Sequence, residues 1–142
     1  MYDYCALSSE KRKQLLNIFS SILKPDGAVL LDVCSLNTFN EINEQSVYEN
    51  NLQNGFWSAN NYYGFQNTFK YIEEKVILDK YTIIEKDNIY TIYNWMQYFD
   101  LDMIKKEFLD NGFKITQYFS DVSGTEFCNT CKEFAVVGNK IL

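Results

Sequence analysis

A continuously apolar segment that follows a helix and a tight turn constrains the fold of this chain most. Residues 28–34 read Ala-Val-Leu-Leu-Asp-Val-Cys, and they come directly after Pro25-Asp26-Gly27. Pro25 ends a helix because it lacks the backbone donor that a helix needs, and Asp26-Gly27 favours a turn. A strand without polar alternation is typical of a sheet that is buried on both faces. The order helix, turn and buried strand therefore predicts an α/β fold.

Two amphipathic helices and two further strands are predicted on either side of a less regular middle segment. A helix over residues 9–23 carries one apolar stripe, and a second helix begins near Asp100 and ends at Gly112. A strand over residues 113–119 follows this turn, and a strand over residues 134–137 lies near the end of the sequence. Because only a loop joins these two strands, they are most simply antiparallel.

The middle segment predicts an antiparallel subdomain that is rich in aromatic residues. From about residue 68 to residue 99, apolar and polar side chains alternate, as in strands with one solvated face. Lys86-Asp87-Asn88 lies between two such runs and predicts a hairpin. We therefore divide the chain into an α/β core of residues 1–55 and 100–142 and an inserted antiparallel lid of residues 56–99.

Composition and charge exclude several classes of function. The chain of 142 residues has a net charge of -6. Such a charge repels the phosphates of nucleic acids, so we expect no nucleic-acid partner. No apolar run approaches the length of a membrane span, and the start of the chain lacks the pattern of a signal peptide. We therefore expect a cytoplasmic protein without a membrane partner.

Cys128-Asn129-Thr130-Cys131 has the spacing of a metal-binding or redox-active pair. A tetrahedral zinc site needs four ligands, and the chain contains no histidine and no second pair of cysteines with this spacing. A loop in which neither cysteine has a special role is the alternative interpretation. We predict no metal site.

The order of these elements resembles the C-terminal half of class I S-adenosylmethionine (SAM) dependent methyltransferases. Leu23-Lys24-Pro25-Asp26-Gly27 looks like the turn before the fifth strand of that family, and Asn111-Gly112-Phe113 looks like the turn into its sixth strand. Phe56-Trp57-Ser58 and Tyr93-Asn94-Trp95 are similar to stretches of small-molecule bacterial methyltransferases with an antiparallel lid. The resemblance implies a truncated Rossmann-like fold with flanking helices, in which a seventh strand lies between strands five and six.

The same resemblance implies that the main cofactor-binding half is absent. The family binds SAM at a glycine-rich turn after its first strand, and none of the six glycines of this chain forms a Gly-x-Gly motif. Tyr2, Asp3 and Tyr4 match the segment after the fourth strand, so the resemblance places them at the edge of the cofactor site. We expect SAM as the cofactor of the complete enzyme and no cofactor bound by this chain alone.

Candidate substrate-binding residues lie near the end of the first predicted strand and in the lid. Asp32 lies near the carboxyl end of its strand, where ligands bind in open α/β sheets, although a structural hydrogen bond is the alternative role. Aromatic rings bind apolar or cationic groups, but they serve equally as a core or a subunit contact. The aromatic candidates are Trp57, Tyr62, Tyr63, Tyr93 and Trp95. Because methyl transfer does not require a base, we assign no catalytic residue.

Two hypotheses of function follow. The first is the C-terminal part of a SAM-dependent methyltransferase that acts on a small molecule and is inactive without its other half. The second is a non-catalytic module that self-associates, or binds a small ligand, through its aromatic surface. In both cases strand 28–34 lacks a neighbour on one side. We therefore expect a homo-oligomer, or pairing with a missing N-terminal half.

Overall fold

The computed structural model describes residues 2–141, which form two compact units. The first unit is built from the chain up to Glu41 and from Gln97 onwards, and the second is Ile42–Met96. The second unit begins before residue 56, the predicted start of the lid, because a strand over residues 45–50 pairs within it. The interpretation of this unit as an inserted substrate lid stays a prediction.

The first unit contains both helices and strands, and strands predominate in the second. In chain order the elements are α1 (Asp3–Ala6), α2 (Ser9–Ile22), β1 (Ala28–Cys34), α3 (Leu36–Glu41), β2 (Gln45–Asn50), α4 (Leu52–Gly55), β3 (Tyr63–Tyr71), β4 (Val76–Ile84), β5 (Ile89–Gln97), α5 (Leu101–Asp110), β6 (Phe113–Phe119) and β7 (Glu133–Lys140). Within residues 2–141, every helix is too short or too polar to span a bilayer.

Both long helices begin at the side-chain caps that their sequences favour. Ser8 precedes α2, and its hydroxyl accepts a hydrogen bond from the backbone nitrogen of Lys11 at 3.3 Å. Asp100 precedes α5, and its carboxylate accepts one from Met103 at 2.7 Å. Such caps satisfy backbone donors that have no partner in the first turn. The two predicted helices are therefore confirmed, with Gly112 in the left-handed conformation after α5 (φ 82°).

The sheet of the first unit has the strand order β1-β7-β6. β7 is antiparallel to both neighbours, and its register joins Ala28 to Asn139 in β1 and Phe113 to Lys140 in β6. The prediction that these three segments lie side by side is confirmed. The named strands of this sheet form no parallel pair, because the antiparallel β7 separates β1 from β6.

The core of the first unit lies where α5 packs against this sheet. Ile104 and Phe108 of α5 are fully buried, as are Val33 of β1 and Val136 of β7. Gly138 of β7 faces the ring of Phe108, and a Cβ atom at Gly138 would lie 2.5 Å from that ring. The glycine therefore permits close approach of the helix to the strand.

The second unit contains an antiparallel sheet with the order β2-β3-β4-β5. The predicted hairpin at residues 86–88 is confirmed, since Glu85 donates a backbone hydrogen bond to Asn88 at 2.8 Å. The sequence predicted strands in this unit only from about residue 68 onwards, whereas β2 and the first part of β3 extend the sheet toward residue 45. The hairpin between β3 and β4 was also not predicted, because its turn contains no glycine or asparagine and instead places Lys75 at positive φ.

The two faces of this second sheet differ in how much they are covered. On the inner face, Tyr81 and Ile83 pack against Leu52 and Tyr62 of the connecting segment. On the other face, aromatic side chains from β2, β3 and β5 are between 36% and 58% exposed. We call this set the outer face, and it comprises Tyr48, Tyr63, Phe65, Phe69, Tyr71, Tyr93 and Trp95.

Candidate functional site

A cavity of about 370 Å³ lies in the first unit, where β1 ends and α5 begins. This volume falls within the range of small-molecule sites. It is also at the carboxyl end of a strand, which is the usual position of ligands in open α/β sheets. The lining residues are Ser35, Leu36, Asn37, Phe99, Asp100, Leu101, Asp102, Phe127, Cys128, Asn129, Cys131 and Phe134.

Backbone hydrogen bonds hold the start of α5 against the end of β1. Phe99 donates from its backbone nitrogen to the carbonyl oxygen of Cys34 at 2.9 Å, and Leu36 donates to the carbonyl oxygen of Phe99 at 2.9 Å. Ser35 and Phe99 thereby form a parallel bridge. The apolar floor of the cavity includes Phe99 and Phe134, which are both buried.

The loop of residues 120–132 forms another wall, and polar side chains after β1 hold it in place. The Ser35 hydroxyl donates to the carbonyl oxygen of Cys131 at 2.6 Å. The Asn37 side-chain amide donates to the same oxygen at 3.0 Å and to the carbonyl oxygen of Asn129 at 2.7 Å. These bonds satisfy the loop backbone, so the cavity wall is fixed by side chains from a distant part of the sequence.

The charged lining of this cavity is acidic. Asp100 and Asp102 lie at its rim, and no lysine or arginine is among the described residues that line it. One oxygen of Asp100 already accepts the cap hydrogen bond from Met103. A small molecule with a cationic or hydrogen-bond-donating group would therefore fit the rim, while the aromatic floor would contact its apolar part.

The predicted cofactor-edge residues lie in and before α1, away from the lining of the cavity. Asp3 is exposed, whereas Tyr4 is buried at 3% exposure, and its hydroxyl donates to Oε1 of Glu107 at 2.5 Å. Tyr2 has positive φ, and its carbonyl oxygen accepts a hydrogen bond from Cys5. The hydroxyl of Tyr4 thus has a structural partner, and the assignment of all three residues to a cofactor site stays a prediction.

Asp32 is half-buried within β1 and also lies outside the cavity lining. A hydrogen bond from Cys5 lowers the pKa of Cys34, and burial and then the nearby carboxylate of Asp32 oppose this effect. The role of Asp32 in substrate binding stays a prediction, and the residues nearest the strand end are instead Ser35 and Asn37.

Trp57 and Tyr62 come together on the inner face of the second unit. Tyr62 is 1% exposed, and its hydroxyl donates to the carbonyl oxygen of Leu52. The Trp57 ring packs on Tyr81 with 4.4 Å between ring centres. Its indole nitrogen is buried without a hydrogen-bond partner among the described residues. Tyr62 is therefore a core residue here, whereas Trp57 keeps an unused donor.

Tyr63, Tyr93 and Trp95 lie instead on the outer face, so the five aromatic candidates do not form one site. Tyr63 stacks on Tyr48 with 5.8 Å between ring centres, and Trp95 contacts Tyr71 at 5.7 Å. Tyr63 and Tyr93 are each more than half exposed. Their roles in substrate binding stay predictions, and the geometry favours a surface over an enclosed aromatic box.

The glycine-rich turn at which the methyltransferase family binds SAM has no counterpart among the described glycines. Glycines allow a backbone to approach the cofactor where a strand turns into a helix. Here Gly27 and Gly112 precede strands, and Gly64 and Gly138 lie within strands against the side chains of Leu52 and Phe108. β1 enters α3 through Ser35, without a glycine. Gly55 ends α4 and Gly124 lies in the loop between β6 and β7, so no glycine of the described chain lies where a strand turns into a helix.

The Cys128–Cys131 pair lies in the wall of the cavity. Sγ of Cys131 is 3.1 Å from the hydroxyl of Ser120, and Sγ of Cys128 is 3.1 Å from the hydroxyl of Thr130. Among residues 2–141, no group of three histidine, cysteine, aspartate or glutamate side chains is placed to hold a metal ion. The neighbours of both sulfurs are thus hydroxyl groups and the other thiol.

Comparison with known proteins gives structural matches only. No protein-family model matches the sequence, and no curated protein matches it. The chain is similar to a SAM-dependent methyltransferase from Clostridium acetobutylicum, with a TM-score of 0.69 and 9% identity over 100% of this chain and 56% of that chain. It is also similar to the CcbJ methyltransferase from Streptomyces caelestis, with a TM-score of 0.64 and 8% identity over 97% of this chain and 53% of that chain.

A third match is the sugar N-methyltransferase KedS8 from Streptoalloteichus sp, with a TM-score of 0.57 and 11% identity over 100% of this chain and 54% of that chain. The chain thus spans about half the length of the solved structures that it matches. At identities this low, the likeness concerns the fold. The chain has a mixed α/β, methyltransferase-like fold.

Proposed function

We propose that this chain is the C-terminal part of a SAM-dependent methyltransferase that acts on a small molecule, and that it is inactive alone. The observation that carries the proposal is the strand order β1-β7-β6, with an antiparallel strand between two others. This order is what the resemblance to the family implied. Three methyltransferase structures of about twice this length, matched over nearly the whole of the present chain, support the same interpretation.

The open edge of β1 supports the proposal in a second way. Alternate residues of an antiparallel strand bond to opposite neighbours, and here Gly27 and Ser35 bond toward β7. The backbone groups of Leu30 and Asp32 therefore point away from β7, at the edge of the sheet. A strand from another polypeptide would satisfy these groups and cover Leu30, whose side chain is 50% exposed.

In this proposal the other half supplies the SAM cradle, and the present chain supplies part of the acceptor site. The acidic rim formed by Asp100 and Asp102 suits a small molecule with an amine. Tyr2 and Asp3 would lie at the edge of the cofactor, and Asp32 near the acceptor. Tyr4 would contribute its ring or backbone, because its hydroxyl is bonded to Glu107.

Calorimetry with SAM tests the proposal directly. We expect no saturable heat when SAM is added to this chain alone, and one-to-one binding when a polypeptide with the strand and glycine-rich turn of the missing half is present. Methyl transfer to a small amine should appear only in the mixture. Saturable one-to-one binding of SAM by the isolated chain would contradict the proposal.

Hydrogen exchange of backbone amides tests how the two parts join. The amides of Leu30 and Asp32 should exchange quickly in the chain alone and slowly in the mixture. The amides of Leu31 and Val33 bond toward β7 in either case and provide the internal control. Equal protection of both pairs in the isolated chain would show that the edge of β1 is already covered.

The outer face of the second unit favours a second candidate function, a non-catalytic module that self-associates. Seven aromatic side chains project from one face of this sheet, and all of them are at least 36% exposed. Contiguous apolar surface of this kind is typical of interaction sites. Two such faces from two copies would cover each other, because the same aromatic residues would meet across a two-fold axis.

Analytical ultracentrifugation of full-length variants tests this second candidate. Changing Tyr71 and Trp95 to serine removes two rings that contact each other on the outer face, and the dimer dissociation constant should rise by about tenfold or more. Ile22→Ser is the control, because Ile22 is 71% exposed on the first unit. A wild-type chain that stays monomeric at micromolar concentration would exclude self-association. If an oligomer persists and no added half restores SAM binding, the second candidate stands and the first fails.

A further inference from the structure

Cys128 and Cys131 are held in a geometry that suits a disulfide bond. The backbone nitrogen of Cys131 donates to the carbonyl oxygen of Cys128 at 3.2 Å, which closes a four-residue turn. The Cα atoms at the ends of such a turn lie within about 7 Å of each other. Disulfides span Cα distances of about 4.4 to 6.8 Å, so closing the bond needs little movement of the backbone.

The loop around this turn keeps both sulfurs in place. The Ser120 hydroxyl donates to the carbonyl oxygen of Glu126 at 2.7 Å and accepts from the backbone nitrogen of Cys128 at 3.0 Å. The same hydroxyl lies 3.1 Å from Sγ of Cys131. One serine therefore ties together the backbone of the first cysteine and the thiol of the second.

The two thiols differ in accessibility as an attacking and a resolving thiol do. Cys128 is exposed, whereas Cys131 is only partly exposed. Hydrogen bonds from the Thr130 hydroxyl, the Thr130 backbone and the Cys131 thiol lower the pKa of Cys128. Because the thiolate is the nucleophile, Cys128 is the thiol that reacts first with a reagent in solution.

Cys5 and Cys34 form a second thiol pair, which differs from the first in that one of its two thiols, Cys5, is fully buried. The backbone nitrogen of Cys34 donates to Sγ of Cys5 at 3.3 Å. Cys5 is 1% exposed, and both its hydrogen bond with Cys34 and its burial raise its pKa. Cys5 is therefore protected from solution reagents, and this pair serves as an internal control in the same molecule.

We propose that Cys128 and Cys131 are a reversible dithiol–disulfide site that reacts with low-molecular-weight disulfides such as oxidised glutathione. The Cys128 thiolate attacks one sulfur of the disulfide, forms a mixed disulfide and releases one thiolate, which takes up the proton that Cys128 lost. Cys131 then loses its proton, attacks Sγ of Cys128 and releases the second glutathione as a thiol. In sum, two cysteine thiols are oxidised and one glutathione disulfide is reduced to two thiols.

This reaction would alter the wall of the cavity in the first unit. Cys128 and Cys131 both line that cavity, and the carbonyl oxygen of Cys131 accepts the hydrogen bonds from Ser35 and Asn37. Oxidation or reduction of the two cysteines would therefore affect the loop segment 129–131, which Ser35 and Asn37 bind. The proposal goes beyond the methyltransferase function and does not depend on it, because the chemistry is measured without SAM.

Mass spectrometry of the full-length chain tests the proposal. The chain is incubated with oxidised glutathione, its remaining thiols are alkylated, and the products are mapped to peptides. We expect the wild type to lose two free thiols, at Cys128 and Cys131, without a stable glutathione adduct, and dithiothreitol should restore both. Cys131→Ser should stop at a glutathione adduct on Cys128, because the resolving thiol is missing. Cys34→Ser should react at Cys128 and Cys131 as the wild type does.

Three results would overturn the proposal. They are a glutathione adduct that persists on Cys128 in the wild type, four free thiols after treatment, and a disulfide that joins Cys5 and Cys34 instead. The rate of alkylation at Cys128 as a function of pH gives a second measurement. Its midpoint should lie below the value of about 8.5 for an unperturbed thiol, and a midpoint at or above that value would count against Cys128 as the attacking thiol.

Discussion

A buried ion pair between α2 and α5 offers the sharpest test of what stabilises the first unit. The Arg12 guanidinium donates to both carboxylate oxygens of Glu107, at 2.7 Å and 3.0 Å, and to the carbonyl oxygen of Leu7 at 2.7 Å. It also lies 5.7 Å from the ring centre of Tyr4 and 5.3 Å from that of Phe99. The Arg12 side chain is 4% exposed, so water does not replace these partners.

Replacing Arg12 by methionine keeps the apolar stem and removes the charge. Removal of one partner from a buried ion pair costs about 3 to 5 kcal/mol, because the other charge stays buried without compensation. Glu107 is 22% exposed and still accepts a hydrogen bond from Tyr4. We therefore expect a loss near the lower limit, about 3 kcal/mol of unfolding free energy.

A double-mutant cycle separates the pair from the effects of each substitution alone. Glu107→Gln in the Arg12→Met background removes the second charge, so the double variant should lose less than the sum of the two single losses. We expect a coupling free energy of about 1 to 2 kcal/mol for these contacting residues. Lys13→Met is the control, since Lys13 is exposed on the same helix, and its effect should stay within about 0.5 kcal/mol.

Urea unfolding followed by circular dichroism is the appropriate assay. The long helices α2 and α5 both lie in the first unit, so the helical signal reports mainly on that unit. Both tryptophans lie in the second unit, so tryptophan fluorescence follows the second unit in the same samples. An Arg12→Met variant as stable as the Lys13→Met control, or strictly additive losses in the cycle, would refute the assignment of the ion pair as a stabilising contact.

Three further predictions concern packing and pH. Gly138→Ala should cost about 1 to 3 kcal/mol in urea unfolding, because its Cβ would lie 2.5 Å from the Phe108 ring, and Phe108→Leu should reduce this cost. Hydrogen bonds led by that from the Ser123 hydroxyl lower the pKa of Asp121. The stabilisation that the ionised Asp121 carboxylate gives the loop is therefore complete above the unfolded pKa of about 3.9, and it is lost as the pH falls through the lower folded value. NMR of the loop amides would follow this loss. Burial and the Glu107 hydrogen bond raise the pKa of Tyr4, so the stabilisation by its neutral hydroxyl is complete below the unfolded pKa of about 10 and is lost as the pH rises from there through the folded value. Absorbance titration should show a late ionisation that Tyr4→Phe removes.

The longer elements of the first unit, α2, β1, α5, β6 and β7, were predictable because their signals are local, whereas the short helices α1 and α3 were not predicted. Pro25 and Gly27 mark the turn before β1, Gly112 marks the turn before β6, and the apolar run of residues 28–34 matches β1 at both ends. The strand order depended instead on the resemblance to a family. Periodicity alone gives no reason for β7 to lie between β1 and β6, because strand order arises from contacts across the whole unit.

The elements that the sequence did not predict depend on tertiary pairing. β2 reads Gln-Ser-Val-Tyr-Glu-Asn and is exposed along its whole length, so it lacks the apolar alternation of a half-buried strand. Its strand conformation follows from pairing with β3, which places Tyr48 opposite Phe65. Tyr62 was equally hard to interpret, because only the fold brings its hydroxyl to the carbonyl oxygen of Leu52.

The cavity could have been predicted only in part. The rule that ligands bind at the carboxyl ends of strands led to Asp32, and the same rule extended by a few residues would have included Ser35 and Asn37. Their contacts could not be predicted in this way, because Asn129 and Cys131 are more than ninety residues further along the chain. A sequence can therefore indicate at which edge of a sheet a site lies. It does not indicate as readily which distant loop forms the wall of that site.

The edge of β1 and the outer face of the second unit are different kinds of surface, so they need not compete for one partner. The edge offers backbone donors and acceptors at Leu30 and Asp32, which any added strand would satisfy whatever its side chains. The outer face offers aromatic rings, which require complementary apolar side chains. Under the proposed function, one copy of the chain would pair with a separate SAM-binding polypeptide through β1 while it meets a second copy through the outer face. An oligomer alone does not distinguish the two functions, whereas restoration of SAM binding by an added half does.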